Sequence, residues 1–198
     1  MSSKKGTLLI VSGPAGVGKG TIVAEAVKRA EGGIYLSISA TTRQPRTIDK
    51  EGVTYFFKTK EEFEKMISED KLLEYACYVD NYYGTPKEPV QDALENGRDV
   101  ILEIEVQGAL KVKAKCPEAV LAFIVPPDIN ELENRLRGRG TETEEQIHSR
   151  LKRAMDEFSE IGKYDYVIEN NTVDDAVNDL MSILKAERLK EVNYDKKF

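Results

Sequence analysis

The sequence predicts an α/β protein built on a doubly wound parallel sheet, and three observations carry that expectation. Wholly apolar runs recur along the chain, segments of helical period separate them, and a glycine-rich turn joins the first run to the first helix. Thr7-Leu8-Leu9-Ile10-Val11-Ser12 has no polar face and suits a strand covered on both sides. From Thr21, the positions Ile22, Val23, Ala26, Val27 and Ala30 follow helical spacing, and Gly32-Gly33 ends that helix. Residues 37 to 88 are rich in Thr, Tyr and Arg and predict short strands, such as Tyr55-Phe56-Phe57, with a helix near Glu61 to Glu69. Val100 to Val106 and Val120 to Val125 predict two more buried strands. Residues 129 to 160 are charged and helical, interrupted at Gly138-Arg139-Gly140. A short strand at Tyr166-Val167-Ile168 precedes a last helix, opened by Thr172 and Asp175 in the manner of a capping box. The apolar face of that helix is Val173, Ala176, Val177, Leu180, Ile183 or Leu184, with Leu189 at its frayed end. Segments 1–36, 89–128 and 161–198 therefore form one core, from which 37–88 and 129–160 are excursions.

A chain of 198 residues suits one such domain, and 40% apolar with 32% charged residues is ordinary for a soluble protein. No apolar run approaches the roughly 20 residues that span a bilayer, and the first segment is too short for a signal-peptide core. Cys77 and Cys116 stand far apart without metal-ligand spacing, so a reducing, cytoplasmic setting is expected. A net charge of −6 argues against a nucleic-acid-binding surface. Within that acidic total, Arg135, Arg137, Arg139, Arg150 and Arg153 crowd together, and Arg43 and Arg46 form a second pair. Guanidinium groups concentrated locally suit a small anionic ligand, with a solvated helical face as the plain alternative. Tyrosine-rich and charged surface stretches permit a homodimer.

Gly13-Pro14-Ala15-Gly16-Val17-Gly18-Lys19-Gly20-Thr21 lies between a buried strand and a helix, the setting of a phosphate-binding loop. Backbone N–H groups would face a β-phosphate, the helix N-terminus would favour negative charge, and Lys19 would reach the β- and γ-phosphates. Gly20 follows the lysine where Ser or Thr is usual, with Thr21 behind it. The hydroxyl that commonly ligates Mg²⁺ is thus displaced, so the ion would be held mainly by water and phosphate oxygens, with Thr21 and Glu103 as candidate protein groups.

Ser39-Ala40-Thr41-Thr42-Arg43-Gln44-Pro45-Arg46 resembles the signature of the guanylate kinase family. The resemblance continues through Gly52 to Phe57, Leu73-Glu74, Asn81 to Thr85, Leu102 to Gly108 and Arg135 to Thr141, covering nearly the whole chain in order. It implies a P-loop kinase core with an inserted GMP-binding subdomain at 37–88 and a helical lid at 129–160. It also implies Mg²⁺-assisted transfer of the γ-phosphoryl group of ATP to GMP. Carried over residue by residue, Arg43, Arg46, Tyr55 and Tyr83 would hold the GMP phosphate. Glu74 and Glu105, with Ser39 and Thr85, would read guanine. Arg135, Arg139 and Arg150 would close over the ATP phosphates, and Asn170 would lie near the adenine.

Chemistry fits these assignments. Guanine offers donors at N1 and N2, so carboxylates select it and adenine would leave them unpaired. Glu103 and Glu105 alternate with apolar residues and are expected on one face of one strand; the second position is more often Asp in the family. Arg137 and Arg153 read as helix-surface charges, and His148, the sole histidine, as solvent-facing. The attacking phosphate oxygen is already anionic, so no side-chain base is required. Two rivals are a catalytically inactive binding module of the same fold, against which the intact phosphate loop argues, and a nucleoside monophosphate kinase with another acceptor. A P-loop GTPase would show Asn-Lys-x-Asp, which is missing from the sequence.

Overall fold

The computed structural model describes residues 5–138 and 143–190. The first elements are β1 (Leu8–Ser12), α1 (Lys19–Arg29), β2 (Ile34–Leu36), β3 (Ala40–Thr41), β4 (Phe56–Phe57) and α2 (Lys60–Ser68). There follow β5 (Leu72–Tyr78), β6 (Asn81–Pro86), α3 (Lys87–Glu95), β7 (Asp99–Glu103), α4 (Val106–Lys115) and β8 (Val120–Val125). The last are α5 (Ile129–Arg137), α6 (Glu144–Phe158), β9 (Tyr166–Glu169) and α7 (Val173–Arg188).

A five-stranded sheet runs in the order β2-β7-β1-β8-β9, every pairing parallel, as expected of the fold class. Period-two alternation splits its central strand between two apolar layers. Leu9 and Val11 join Ile22, Val23 and Ala26 of α1 and Ala176, Val177 and Leu180 of α7. Leu8 and Ile10 join Val90 and Ala93 of α3 and Ala109 and Val112 of α4. Each fully buried Val, Leu or Ile side chain here contributes about 1.5–3 kcal/mol relative to exposure. Leu132, Leu136 and Ala154 extend the first layer to α5 and α6, so the charged excursion is rooted in the core. Among the described residues no helix is long and apolar enough to cross a membrane.

A second sheet, β4-β3-β6-β5, lies within residues 37 to 88. Phe63 of α2 stacks on Tyr82 with ring centroids 5.2 Å apart, closing a small core with Ala40 and Leu72. Its outer strand, β5, is flanked by α4, whose Lys111 and Lys115 donate to the carbonyls of Tyr75 (3.2 Å) and Leu72 (3.4 Å).

Local chemistry explains the helix starts. Thr59 with Glu62, and Thr143 with Gln146, form reciprocal capping boxes, and Asp128 caps α5 through the N–H of Glu131. At α7 the Thr172 hydroxyl accepts from the Asp175 N–H and donates to the Asp175 carboxylate, so the second half of the expected box is a side-chain pair. Val173 is more than a third exposed and does not join the buried face of that helix.

One expectation is corrected. The strand expected over Val100 to Val106 stops at Glu103, and Glu105 is the N-cap of α4. Glu103 and Glu105 therefore stand on two elements, not on one face of one strand.

Candidate functional site

The phosphate loop leaves β1 at the carboxyl edge of the sheet, where ligands of open α/β sheets bind. Gly13, Gly16 and Gly18 all have positive φ. Gly18, at φ 94, has no room for more: a Cβ there would fall 2.5 Å from the amide nitrogen of Asn170. As the N-cap of α1 it makes no side-chain cap, so the first N–H groups of the helix remain for an anion. Lys19 donates its ammonium to the carbonyls of Gly13 and Pro14.

Two residues expected at ATP brace this loop from behind. Asn170 is 4% exposed; its amide nitrogen donates to the Val17 carbonyl at 2.7 Å, and its backbone N–H to Val125. Arg135 donates to Glu131 at 2.8 Å, to the Asn170 carbonyl at 3.1 Å and, at 3.5 Å, to the Val17 carbonyl.

Parallel register sets Val11 against Glu103, so that carboxylate stands beside the loop. A Cβ on Gly20 would be 3.7 Å from the nearer Glu103 oxygen. Solvent reaches Glu103 along the cleft, yet protein crowds the carboxyl. That desolvation raises its pKa, with the charge of Lys19 acting in the opposite direction. Thr21 is exposed in the first turn of α1.

The second sheet gathers the remaining groups. Arg43 donates to the Gln44 carbonyl and, at 2.9 Å, to Asp49, and its guanidinium carbon lies 5.2 Å from the centre of the Tyr55 ring. Tyr55 meets Tyr83 edge-on at 6.1 Å, while Arg46 is exposed. Ser39, Tyr55 and Glu103 line one hollow of about 460 Å³. Glu74 and Thr85 are buried, and the Thr85 hydroxyl donates to Glu74 at 2.8 Å. Burial lifts the Glu74 pKa, opposed by that hydroxyl and by Lys111 and Lys115. A Cβ on Gly108 would stand 3.1 Å from the second Glu74 oxygen. Gly108 is one helical turn beyond Glu105, which brings the two carboxylates to the same end of α4.

A cavity of about 640 Å³ is lined by Gly13, Ala15 and Lys19 from the loop, Glu105 at the start of α4, and Arg150 and Arg153 from α6. Arg153, expected as a surface charge, pairs with Glu105 at 2.9 Å across the cleft and with Glu157. Arg137 pairs with Glu133 and Glu144 away from the cavity, and His148 is exposed. Arg139 lies outside the described residues.

Sequence reasoning missed Asp49, Arg153 and Tyr78, the last a further wall of the cavity. Asp49 carries no local signal, being a carboxylate in a polar loop. Arg153 and Tyr78 become visible only once α6 and the β5–β6 hairpin are folded over the loop.

The guanylate kinase family model matches residues 5–187. A guanylate kinase of Halalkalibacterium halodurans is 50% identical over 198 residues, covering 100% of this chain and 97% of the relative. One of Caldanaerobacter subterraneus is 52% identical over 187 residues, with 94% and 90% covered. The crystal structure of guanylate kinase from Anaplasma phagocytophilum superposes with a TM-score of 0.78 at 32% identity, over 98% of this chain and 92% of that one. By sequence along its whole length and by fold, the chain belongs to the guanylate kinase family, enzymes that transfer the γ-phosphoryl group of ATP to GMP.

Proposed function

We propose that the phosphate loop holds ATP, that residues 37–88 hold GMP, and that residues 129–160 close over both. The observation that carries this division is the shared cavity, where Lys19, Glu105 and Arg150 face one space. On this reading Lys19 exchanges the Gly13 and Pro14 carbonyls for β- and γ-phosphate oxygens when ATP binds. Backbone N–H groups of the loop and of α1 supply the remaining donors. Asn170 and Arg135 hold the loop in shape, so their contribution to ATP binding is at least partly through Val17.

Arg43, Arg46, Tyr55 and Tyr83 take the acceptor phosphate. Glu74 and Glu105 accept from guanine N1 and N2, with Ser39 and Thr85 beside them. Glu105 is already committed to Arg153, so recognition of the base at that carboxylate is coupled to the position of α6. The acceptor oxygen is anionic without a base, and catalysis consists of in-line positioning and charge neutralisation. Arg150 supplies positive charge from α6, and Arg139 is assigned the same task from the sequence. Water excluded by closure is water that cannot take the phosphoryl group.

The donor set fits Mg²⁺. One carboxylate, Glu103, stands beside the loop, and the described residues contain no cluster of three His, Cys, Asp or Glu that would form an all-protein cage. Mg²⁺ habitually keeps water and phosphate oxygens with one or two carboxylates. Glu103 would hold it, directly or through water, with Thr21 as the nearest hydroxyl on α1; bound there it would offset charge on the β- and γ-phosphates. The free thiols of Cys77 and Cys116 support a cytoplasmic setting.

The test is steady-state ADP formation from Mg-ATP with GMP, AMP, CMP and UMP offered separately, and Lys19→Ala as control. A response to GMP alone, lost in the control, supports the assignment. Equal use of several acceptors removes Glu74 and Glu105 as selectors of the base.

A further inference from the structure

Asp49 is a carboxylate placed where an anion is to bind, and that is the anomaly. A negative side chain near a phosphate dianion repels it, so its presence calls for a compensating task. Its surroundings supply one. The Asp49 side chain is only 8% exposed and that of Arg43 16%, although both lie in a surface loop. A single oxygen, Oδ2, accepts from the Arg43 guanidinium at 2.9 Å and from the backbone N–H of Arg46 at 2.7 Å. The Asp49 N–H in turn donates to the Arg46 carbonyl at 2.9 Å, closing the loop on itself. The Arg46 N–H, then Arg43 and Arg46, hold the Asp49 carboxyl below its usual range, so it is ionised at neutral pH.

Arg43 is constrained on its other sides as well. It donates a second N–H to the Gln44 carbonyl and rests over the Tyr55 and Phe57 rings at 5.2 and 6.0 Å. Two of its five N–H groups are thereby committed to protein oxygens, which fixes the plane of the fork and the direction of the others.

We propose that Asp49 is the positioning residue of the acceptor-phosphate site, aiming the Arg43 guanidinium and fixing the backbone that presents Arg46. The proposal rests on the reading that these arginines bind the GMP phosphate. Asp49 touches no substrate; it lowers the ordering that Arg43 undergoes on binding, and that gain exceeds the repulsion its charge adds. Because the effect falls on one substrate, it separates from a general loss of structure.

Asp49→Asn keeps the shape and one acceptor for the Arg46 N–H but removes the charge that holds Arg43. The expected result is a rise in GMP KM of about tenfold or more, a smaller change in kcat at saturating GMP, and an ATP KM within about twofold of the parent. Asp49→Glu, which restores the charge one methylene further out, is expected to fall between, and serves if the Asn variant does not fold. Arg43→Gln/Asp49→Asn is expected to bind GMP no worse than Arg43→Gln alone, because the two residues act as one unit. If Arg43→Gln raises the GMP KM and Asp49→Asn leaves it unchanged or lowers it, the positioning role is overturned while the phosphate site stands. If Arg43→Gln itself leaves the GMP KM unchanged, the underlying site assignment fails. Equal loss of GMP and ATP binding in Asp49→Asn would reduce Asp49 to a structural residue and also overturn the proposal.

Discussion

Replacing Glu74 by Gln should make the protein more stable and a worse enzyme at once. The residue is 7% exposed, with one carboxylate oxygen on the Thr85 hydroxyl at 2.8 Å and the other against Gly108. Burial raises its pKa in the folded state, so the sign is that of a buried acid. Its contribution to stability is complete below the unfolded value and is lost as pH rises through the folded value. Glutamine is neutral throughout and nearly isosteric, and it can keep the Thr85 bond. The variant should therefore melt above the parent at pH 7 to 8, and the difference should vanish at about pH 4, near the ordinary carboxyl pKa. Function moves the other way, because on the proposed assignment the amide nitrogen would face a guanine donor. A hydrogen bond to a charged partner contributes about 1.5–3 kcal/mol, which corresponds to a loss in kcat/KM for GMP of about 10- to 150-fold. Thermal melts at three pH values and GMP titrations in the ADP assay measure both halves. A lower melting temperature with kcat/KM for GMP unchanged would refute the reasoning and leave Glu74 a structural residue.

Other perturbations follow from the same geometry. Asn170→Ala leaves the Val17 carbonyl without its amide partner, so a loss of about 1–3 kcal/mol is expected, with a raised ATP KM and an unchanged GMP KM, read from melts and titrations. Val79 is an exposed β-branched residue at φ 46 in the β5–β6 turn, and Val79→Asn should stabilise by about 1 kcal/mol, seen as a melting temperature about 2–4 °C higher. Glu103→Gln should raise the Mg²⁺ concentration for half-maximal velocity about tenfold at fixed ATP, while leaving metal-free ATP binding unchanged.

The parallel core was legible because a strand covered on both faces has nowhere to put a polar residue, so β1 and β8 stand out as unbroken apolar runs. The phosphate loop was legible because positive φ at its turns restricts those positions to glycine. The end of β7 was not. Ile104-Glu105-Val106 continues the alternation of the strand, and Glu105 opens α4 without a side-chain cap, so no residue type marks the boundary. The β5–β6 hairpin escaped for a similar reason: Val79 and Asp80 occupy left-handed positions where Asn or Gly would be the signal. Within the site, the residues assigned to substrates were found through the family's pattern. The contacts that brace them, Asp49 on Arg43 and Arg135 on the Val17 carbonyl, join residues that no local spacing links.

An open cleft between two sheets leaves the rim of the smaller one turned toward other molecules. A bare strand rim is a template: its carbonyls recruit a ribbon from another chain, and Tyr75, Cys77 and Tyr78 on β5 would make that ribbon adhesive. Here α4 lies along the rim, and the ammonium groups of Lys111 and Lys115 occupy two of its carbonyls. At the opposite rim β4 offers only two residues, too few to nucleate pairing. The same helix that carries Glu105 into the cleft thus also covers the edge on which another strand would pair. Its two lysines ought to be judged in aggregation assays as well as in kinetic ones.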